Sequence, residues 1–130
     1  MSKGLSIEIS PGELIDKITI LEIKRARMTD AEKLENVERE WTTLTAARDG
    51  AVKQSAELDR LALELKRVNE SLWEIEDDIR DCERRKDFGK KFVALARGVY
   101  KNNDRRSEIK RAINKLLGSR LSEEKSYAAY

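Results

Sequence analysis

The chain has 130 residues, with 27 Lys and Arg against 25 Asp and Glu and a net charge of +2. It has no His and one Cys, which excludes a Ser-His-Asp triad, a His-ligated zinc site and a disulfide within the chain. No apolar run approaches the roughly 20 residues that span a bilayer, and the start MSKGLSIEIS lacks the apolar core of a secretory signal. We therefore expect a cytoplasmic protein without a membrane span.

The first fifty residues predict a short extended segment and two helices. Residues 5–9 alternate apolar and polar side chains, and a lone strand must lie along helices or pair with a second chain. The run SPGE at 10–13 has a capping Ser, a Pro at the first helical position and a Glu that can bond back to the Ser amide. We predict helices over about 11–28 and 30–49, the second ending at Gly50.

A long third helix is predicted over about 53–86. Apolar residues recur there at alternating spacings of three and four, which is the heptad pattern of a helix with a partner lying alongside. These seam residues are Leu58, Leu61, Leu65, Val68, Leu72, Ile75, Ile79 and Cys82. We expect the first two helices to cover this heptad seam in antiparallel fashion, or the same helix of a second chain to cover it in a homodimer.

The C-terminal third predicts two further helices and a tail. The helices span about 89–100 and 104–117, separated by a turn and cap at the polar run 102–104, and the tail at 119–130 has no strong period. The fold class is therefore all-α. We predict that residues 1–130 form a single helical domain, an antiparallel bundle or coiled-coil hairpin around the long helix.

A polar cluster beside Trp73 is the candidate site. Trp73, Asp77 and Arg80 share one face of the third helix, while Glu76 flanks the heptad seam. A Trp outside the seam would expose roughly 150–250 Å² unless something covers it, and the last two helices are the nearest elements. They would bring to this junction Tyr100, Asn103, Asp104 and Arg105. The junction is either a salt-bridged structural contact or a pocket for a small ligand.

Enzymatic interpretations have less support. The acidic cluster at 74–81 could hold Mg²⁺, but the intervening Arg80 argues against it, and we assign no metal ligand, no catalytic residue and no cofactor. The acidic pairs at 32–35 and 74–77 look like those of metal-dependent all-α nucleotide phosphohydrolases, so this class of enzyme remains an alternative. Such acidic pairs also arise by chance in a chain with this many charged residues. A helical mutase of the chorismate type is a weaker alternative that only the pattern at 14–25 supports.

Charge is distributed unevenly along the chain. Residues 87–118 carry nine basic and three acidic groups, a net +6, whereas residues 53–86 are net −2. The basic third could dock on the acidic long helix or face an anionic ligand. Phe92 and Tyr100 have core spacing rather than the exposure that base stacking needs, and the pI near 8.7 is modest. The sequence therefore does not favour nucleic acid as a partner.

Four motifs resemble a bacterial family of small helical proteins of unknown function. They are SPGELIDKITILEIK, LWEIEDDIR, NDRRSEIKRAIN and EEKSY, and the resemblance covers most of the chain outside 46–60. Similar segments occur in larger proteins associated with cell-surface sugar assembly. The resemblance implies a site in which residues of the third helix lie against residues of the C-terminal third. The residues of the third helix are Trp73, Glu76, Asp77 and Arg80, and those of the C-terminal third are Asn103, Asp104, Arg105, Lys110 and Asn114.

Two functions follow as hypotheses. The first is a non-enzymatic helical interaction or adaptor module that binds a protein partner or a second copy of itself, which the resemblance links to cell-surface polysaccharide assembly. The second is a pocket for a small phosphate- or carboxylate-bearing ligand. Its residues would be Arg80, Arg105, Lys110 and Asn114, with Trp73 as a wall.

Overall fold

The computed structural model describes residues 4–130, and within them the regular structure is entirely helical. Four helices follow in order: α1 (Pro11–Arg27), α2 (Ala31–Ala51), α3 (Ala56–Arg84) and α4 (Lys90–Leu116). The predicted all-α fold, a helical bundle, is confirmed. None of the four helices is both long enough and apolar enough to cross a lipid bilayer.

The start of α1 follows the predicted capping pattern. The Ser10 hydroxyl accepts a hydrogen bond from the Glu13 amide at 3.2 Å, and Pro11 occupies the first turn. The preceding segment was predicted to pack along helices or pair as a strand, and within this chain it does neither. Leu5 is 97% exposed, and Glu8 joins the segment to the tail through an ion pair with Arg120.

The first half of the heptad seam of α3 is buried within the chain, whereas Val68, Leu72, Ile75 and Ile79 are only half-buried. Leu58, Leu61 and Leu65 are buried with Ile109 and Ile113 of α4 in one cluster, which Ile15 of α1 completes. The predicted cover by α2 is wrong, because no Cα atom of α2 lies within 8 Å of one in α3. Since α1 and α4 bury these leucines, a second copy is not needed to cover them, and a homodimer stays a prediction.

The predicted break between two C-terminal helices is also wrong, because α4 runs without interruption through residues 102–104. The polar run is accommodated inside the helix. The Asn102 side-chain amide donates to the Gly98 carbonyl at 2.8 Å, and Asp104 bonds Lys125 of the tail. Polar side chains that favour turns can remain in a helix when they have such partners.

Close packing of α1 on α4 fixes the base of the molecule. The backbone N–H of Gly12 donates to Oδ1 of the buried Asn114 at 2.7 Å. A Cβ atom on Gly12 would lie 2.5 Å from the Lys110 carbonyl oxygen. The absence of a side chain at Gly12 therefore allows the two backbones to approach this closely.

Helix α2 packs on α1 alone among the helices. Trp41 contacts α1 with its ring, which lies 3.9 Å below the Arg25 guanidinium in a cation–π contact. Arg25 also bonds Glu38 at 2.8 Å. Among the residues of α2, Val37 and Thr45 are buried.

Candidate functional site

A buried polar network joins α1, α3 and α4. Asp16 is 1% exposed, and its carboxylate accepts two hydrogen bonds from the Arg106 guanidinium and one, at 2.9 Å, from the Asn69 amide. Asn69 also donates to the Thr19 hydroxyl at 2.9 Å. The hydrogen bond with Asp16 raises the pKa of Arg106 above its ordinary value. The network holds Arg106 at a fixed position between the helices.

An open groove of about 600 Å³ lies above this network, between α1, α3 and α4. We call it the Trp73 groove. Trp73 is half-buried, so the fold covers one side of it and leaves the other facing the groove. The apolar part of the lining is Ile20, Ile23, Leu72, Trp73 and Val99, and the polar part is Asn69, Glu76, Asp77, Arg80, Asn103 and Arg106.

The rim of the groove carries charges of both signs. Arg80 forms an ion pair with Glu76 one turn earlier on α3, and Asp77 is exposed beside them. Arg106 reaches the groove from α4, where Asp16 holds it. Of the ten predicted site residues, five line this groove: Trp73, Glu76, Asp77, Arg80 and Asn103.

Three more of the predicted residues line a second cavity. This tail cavity, of about 470 Å³, lies between α4 and residues 123–127, and it contains Tyr100, Asp104 and Lys110. Val99, Asn103 and Arg106 line both the tail cavity and the Trp73 groove. The two spaces therefore lie on either side of one wall of α4.

Ion pairs hold the tail over this cavity. The Lys110 ammonium lies 2.8 Å from a Glu13 oxygen and 3.3 Å from a Glu123 oxygen, while Lys125 lies 2.5 Å from Asp104. The Lys125 hydrogen bond, with one from Tyr130, lowers the pKa of Asp104. Burial alone would lower the pKa of Lys110, but its acidic neighbours outweigh burial and raise that pKa, so the ammonium stays charged.

The remaining two predicted residues lie outside both spaces. Arg105 is exposed and pairs with Glu64 at 3.2 Å and Glu108 at 3.3 Å. Asn114 is buried against Gly12 at the base of the bundle. The continuous α4 explains this separation, because it fixes the rotation between positions 103, 105 and 114, which a break would have left free.

The residues that the enzymatic alternatives would use lie on separate helices or are paired elsewhere. The pair Glu32 and Glu35 lies on α2, no Cα atom of which is within 8 Å of one in α3, where Glu74 and Asp77 lie. Among residues 4–130, no three acidic or Cys side chains are grouped so as to hold a metal ion. For the mutase alternative, Arg25 pairs with an exposed glutamate of α2 and is not part of the buried network.

These features define an all-helical protein with the Trp73 groove and a tail-covered polar cavity. A sequence model of DUF6165, described as a family of unknown function, matches residues 5–130, and the chain belongs to this family. The predicted membership in a family of small helical proteins of unknown function is thereby confirmed. No curated protein matches the chain, and neither does any solved structure.

Proposed function

We propose that this protein is a helical interaction module and that the Trp73 groove is where it docks a partner protein. The observation that carries the proposal is Trp73 itself, a large aromatic residue that faces open space beside Ile20, Ile23 and Leu72. Aromatic residues in apolar grooves between helices supply much of the binding energy at protein interfaces. In this groove α1, α3 and α4 together present such a surface.

The surroundings of the groove define the partner's chemistry. An apolar lining with a charged rim suits an amphipathic helix that inserts one or two apolar side chains. Asp77 on α3 and Arg106 on α4 line the groove from different helices, so a helix with both acidic and basic flanking residues is complementary. The Asp16 network beneath it keeps the walls in place, which lowers the entropic cost of binding.

The cellular setting is an expectation from the resemblance. Similar segments in proteins of cell-surface sugar assembly predict that the partner belongs to that process. Location in the cytoplasm likewise stays a prediction.

A photo-crosslinking experiment tests the docking site. A photoreactive residue replaces Asp77 in the full chain, the adduct is formed in cells, and its partner is identified and purified. We expect Trp73→Ala to weaken binding of that purified partner by at least roughly tenfold, because truncated aromatic anchors cost about 2 kcal/mol or more. Leu63→Ala is the matched control, since Leu63 is an exposed apolar residue of α3 outside the groove.

The outcome has two clear forms. A partner whose affinity falls with Trp73→Ala and is unchanged by Leu63→Ala supports the groove. Equal affinity of the wild type and Trp73→Ala, with both proteins folded, would refute it.

A small anionic ligand is the second candidate for the same groove. Arg80 and Arg106 both line it beside Trp73, and its volume of about 600 Å³ lies within the range of small-molecule sites. The chain has two Trp residues, so Trp41→Phe leaves Trp73 as the sole indole reporter. We expect citrate or inorganic phosphate to change Trp73 fluorescence, with less change in Arg80→Gln. An unchanged signal up to about 10 mM would exclude this candidate.

A further inference from the structure

A buried hydroxyl without a partner lies in the wall of the tail cavity. Ser107 is 8% exposed, and its Oγ atom has no hydrogen-bond partner. It lines both the tail cavity and an adjoining cavity of about 490 Å³ under residues 127–130. Buried hydroxyls in proteins almost always have a partner. The Oγ atom itself has almost no accessible surface, so a molecule that enters from either cavity can bond it only after the Ser107 side chain rotates.

A buried ammonium lies one helical turn further along α4. Lys110 is 7% exposed, and the carboxylate of Glu123 bonds it from the tail side. The Arg111 guanidinium donates two hydrogen bonds, of 3.2 and 3.0 Å, to the Glu123 carbonyl oxygen. These two bonds hold the tail backbone independently of the Glu123 side chain. The tail thus places its own carboxylate where a ligand carboxylate would bind Lys110.

The charges around the cavity decide how a ligand can enter. Lys110 already bonds Glu13, Arg106 bonds Asp16, and Asp104 is paired with Lys125. Lys110 also bonds Glu123, so an extra carboxylate beside it would face two negative charges and be repelled. A carboxylate that replaces Glu123 leaves the charge unchanged, so an anionic ligand must bind in place of Glu123.

We propose that the tail cavity binds a small hydroxy-carboxylate, whose carboxylate takes the position of Glu123 on Lys110 and whose hydroxyl bonds Ser107. The volume of the cavity accommodates a chain of about six carbon atoms. Asn103 and Asp104 line the same space and can bond further hydroxyl groups. Glu123 then acts as an internal competitor that the ligand displaces. This site is separate from the Trp73 groove and does not depend on its function.

Calorimetric titration with two matched probes tests the site. The probes are D-gluconate and D-sorbitol, which share a six-carbon polyhydroxyl chain and differ in the carboxylate. We expect gluconate to bind and sorbitol to bind at least roughly tenfold more weakly. Glu123→Gln removes the competing carboxylate, so it should tighten gluconate binding by roughly tenfold. Glu35→Gln is the control for loss of a carboxylate, because Glu35 is exposed on α2 and lines neither the tail cavity nor the adjoining one.

Two further variants test the ligand contacts. Lys110→Met should abolish the preference for gluconate over sorbitol, and Ser107→Ala should weaken gluconate binding by about three- to tenfold. Ser107→Ala keeps the test valid if Lys110→Met does not fold, since the Ser107 hydroxyl has no partner to lose. Trp73→Ala should leave gluconate binding unchanged, which separates this site from the groove.

Three results would overturn the proposal. The first is equal gluconate affinity in the wild type and Glu123→Gln. The second is sorbitol binding as tight as gluconate binding. The third is no gluconate binding by Glu123→Gln at about 10 mM.

Discussion

Removing the Asp16 carboxylate should destabilise the protein strongly. Asp16→Ala deprives the Arg106 guanidinium of its ion pair and takes one acceptor from the Asn69 amide. Breaking a buried ion pair by removing one partner costs about 3–5 kcal/mol. Because 29% of the Arg106 side chain is exposed to water, solvent compensates part of this loss. We therefore expect a decrease of about 3 kcal/mol in the free energy of unfolding.

Urea denaturation followed by far-ultraviolet circular dichroism measures this change. Arg105→Ala is the matched control on the same helix, since its ion pairs with Glu64 and Glu108 are exposed and should contribute less than about 1 kcal/mol. A double-mutant cycle of Asp16→Ala with Arg106→Ala should give a coupling energy of about 1.5–3 kcal/mol.

A small effect of Asp16→Ala would contradict the structural role of the network. If Asp16→Ala costs less than about 1 kcal/mol, or if the coupling with Arg106 is below about 0.5 kcal/mol, the network does not hold the three helices together. The fixed position of Arg106 in both the groove and the tail cavity would then have no structural basis.

Two other predictions concern helix packing and the tail. Gly12→Ala should cost about 1–3 kcal/mol in urea denaturation, because its Cβ would collide with the α4 backbone and with Asn114. Gly50→Ala, which has open space, should stabilise α2 by up to about 1 kcal/mol. The Lys125 bond lowers the pKa of Asp104, so the contribution of Asp104 to tail docking is present above its ordinary pKa and is lost as pH falls through its folded-state pKa. In carboxyl NMR titrations, Lys125→Ala should raise the Asp104 pKa; an unchanged pKa would show that the tail does not dock through this pair.

Local sequence signals predicted the helices well where a cap or a period defines them. The Ser10 cap and the heptads of α3 each depend on residues within a few positions of one another. The uninterrupted α4 was not predicted because the run 102–104 has turn-forming residues. The residue that bonds Asp104 within the helix is Lys125, which lies twenty-one residues further along the chain. Tertiary partners of this kind cannot be inferred from local propensity.

The candidate site was predicted in part for a related reason. Trp73 was identified because a large aromatic residue outside the seam requires cover. Asp16 and Asn69 were missed as a pair, although each lies among apolar residues on the buried side of its helix. The available signal was that two helices each carry a polar residue in their apolar stripe, and that an Arg elsewhere in the chain had no predicted partner. The sequence could not predict that Arg106 bonds Asp16, because the face of α4 that meets α1 and α3 depends on the continuity of α4.

The one-sided attachment of α2 has a consequence for how the molecule opens. Since its helix contacts are confined to α1, α2 can detach while the cluster of Leu65, Ile109 and Ile113 stays intact. Backbone amides of α2 should therefore exchange with deuterium through a low-energy partial opening, whereas those of α3 and α4 exchange only on global unfolding. The molecule would then consist of a stable three-helix body, formed by α1, α3 and α4, and a fourth helix, α2, that detaches and rebinds independently.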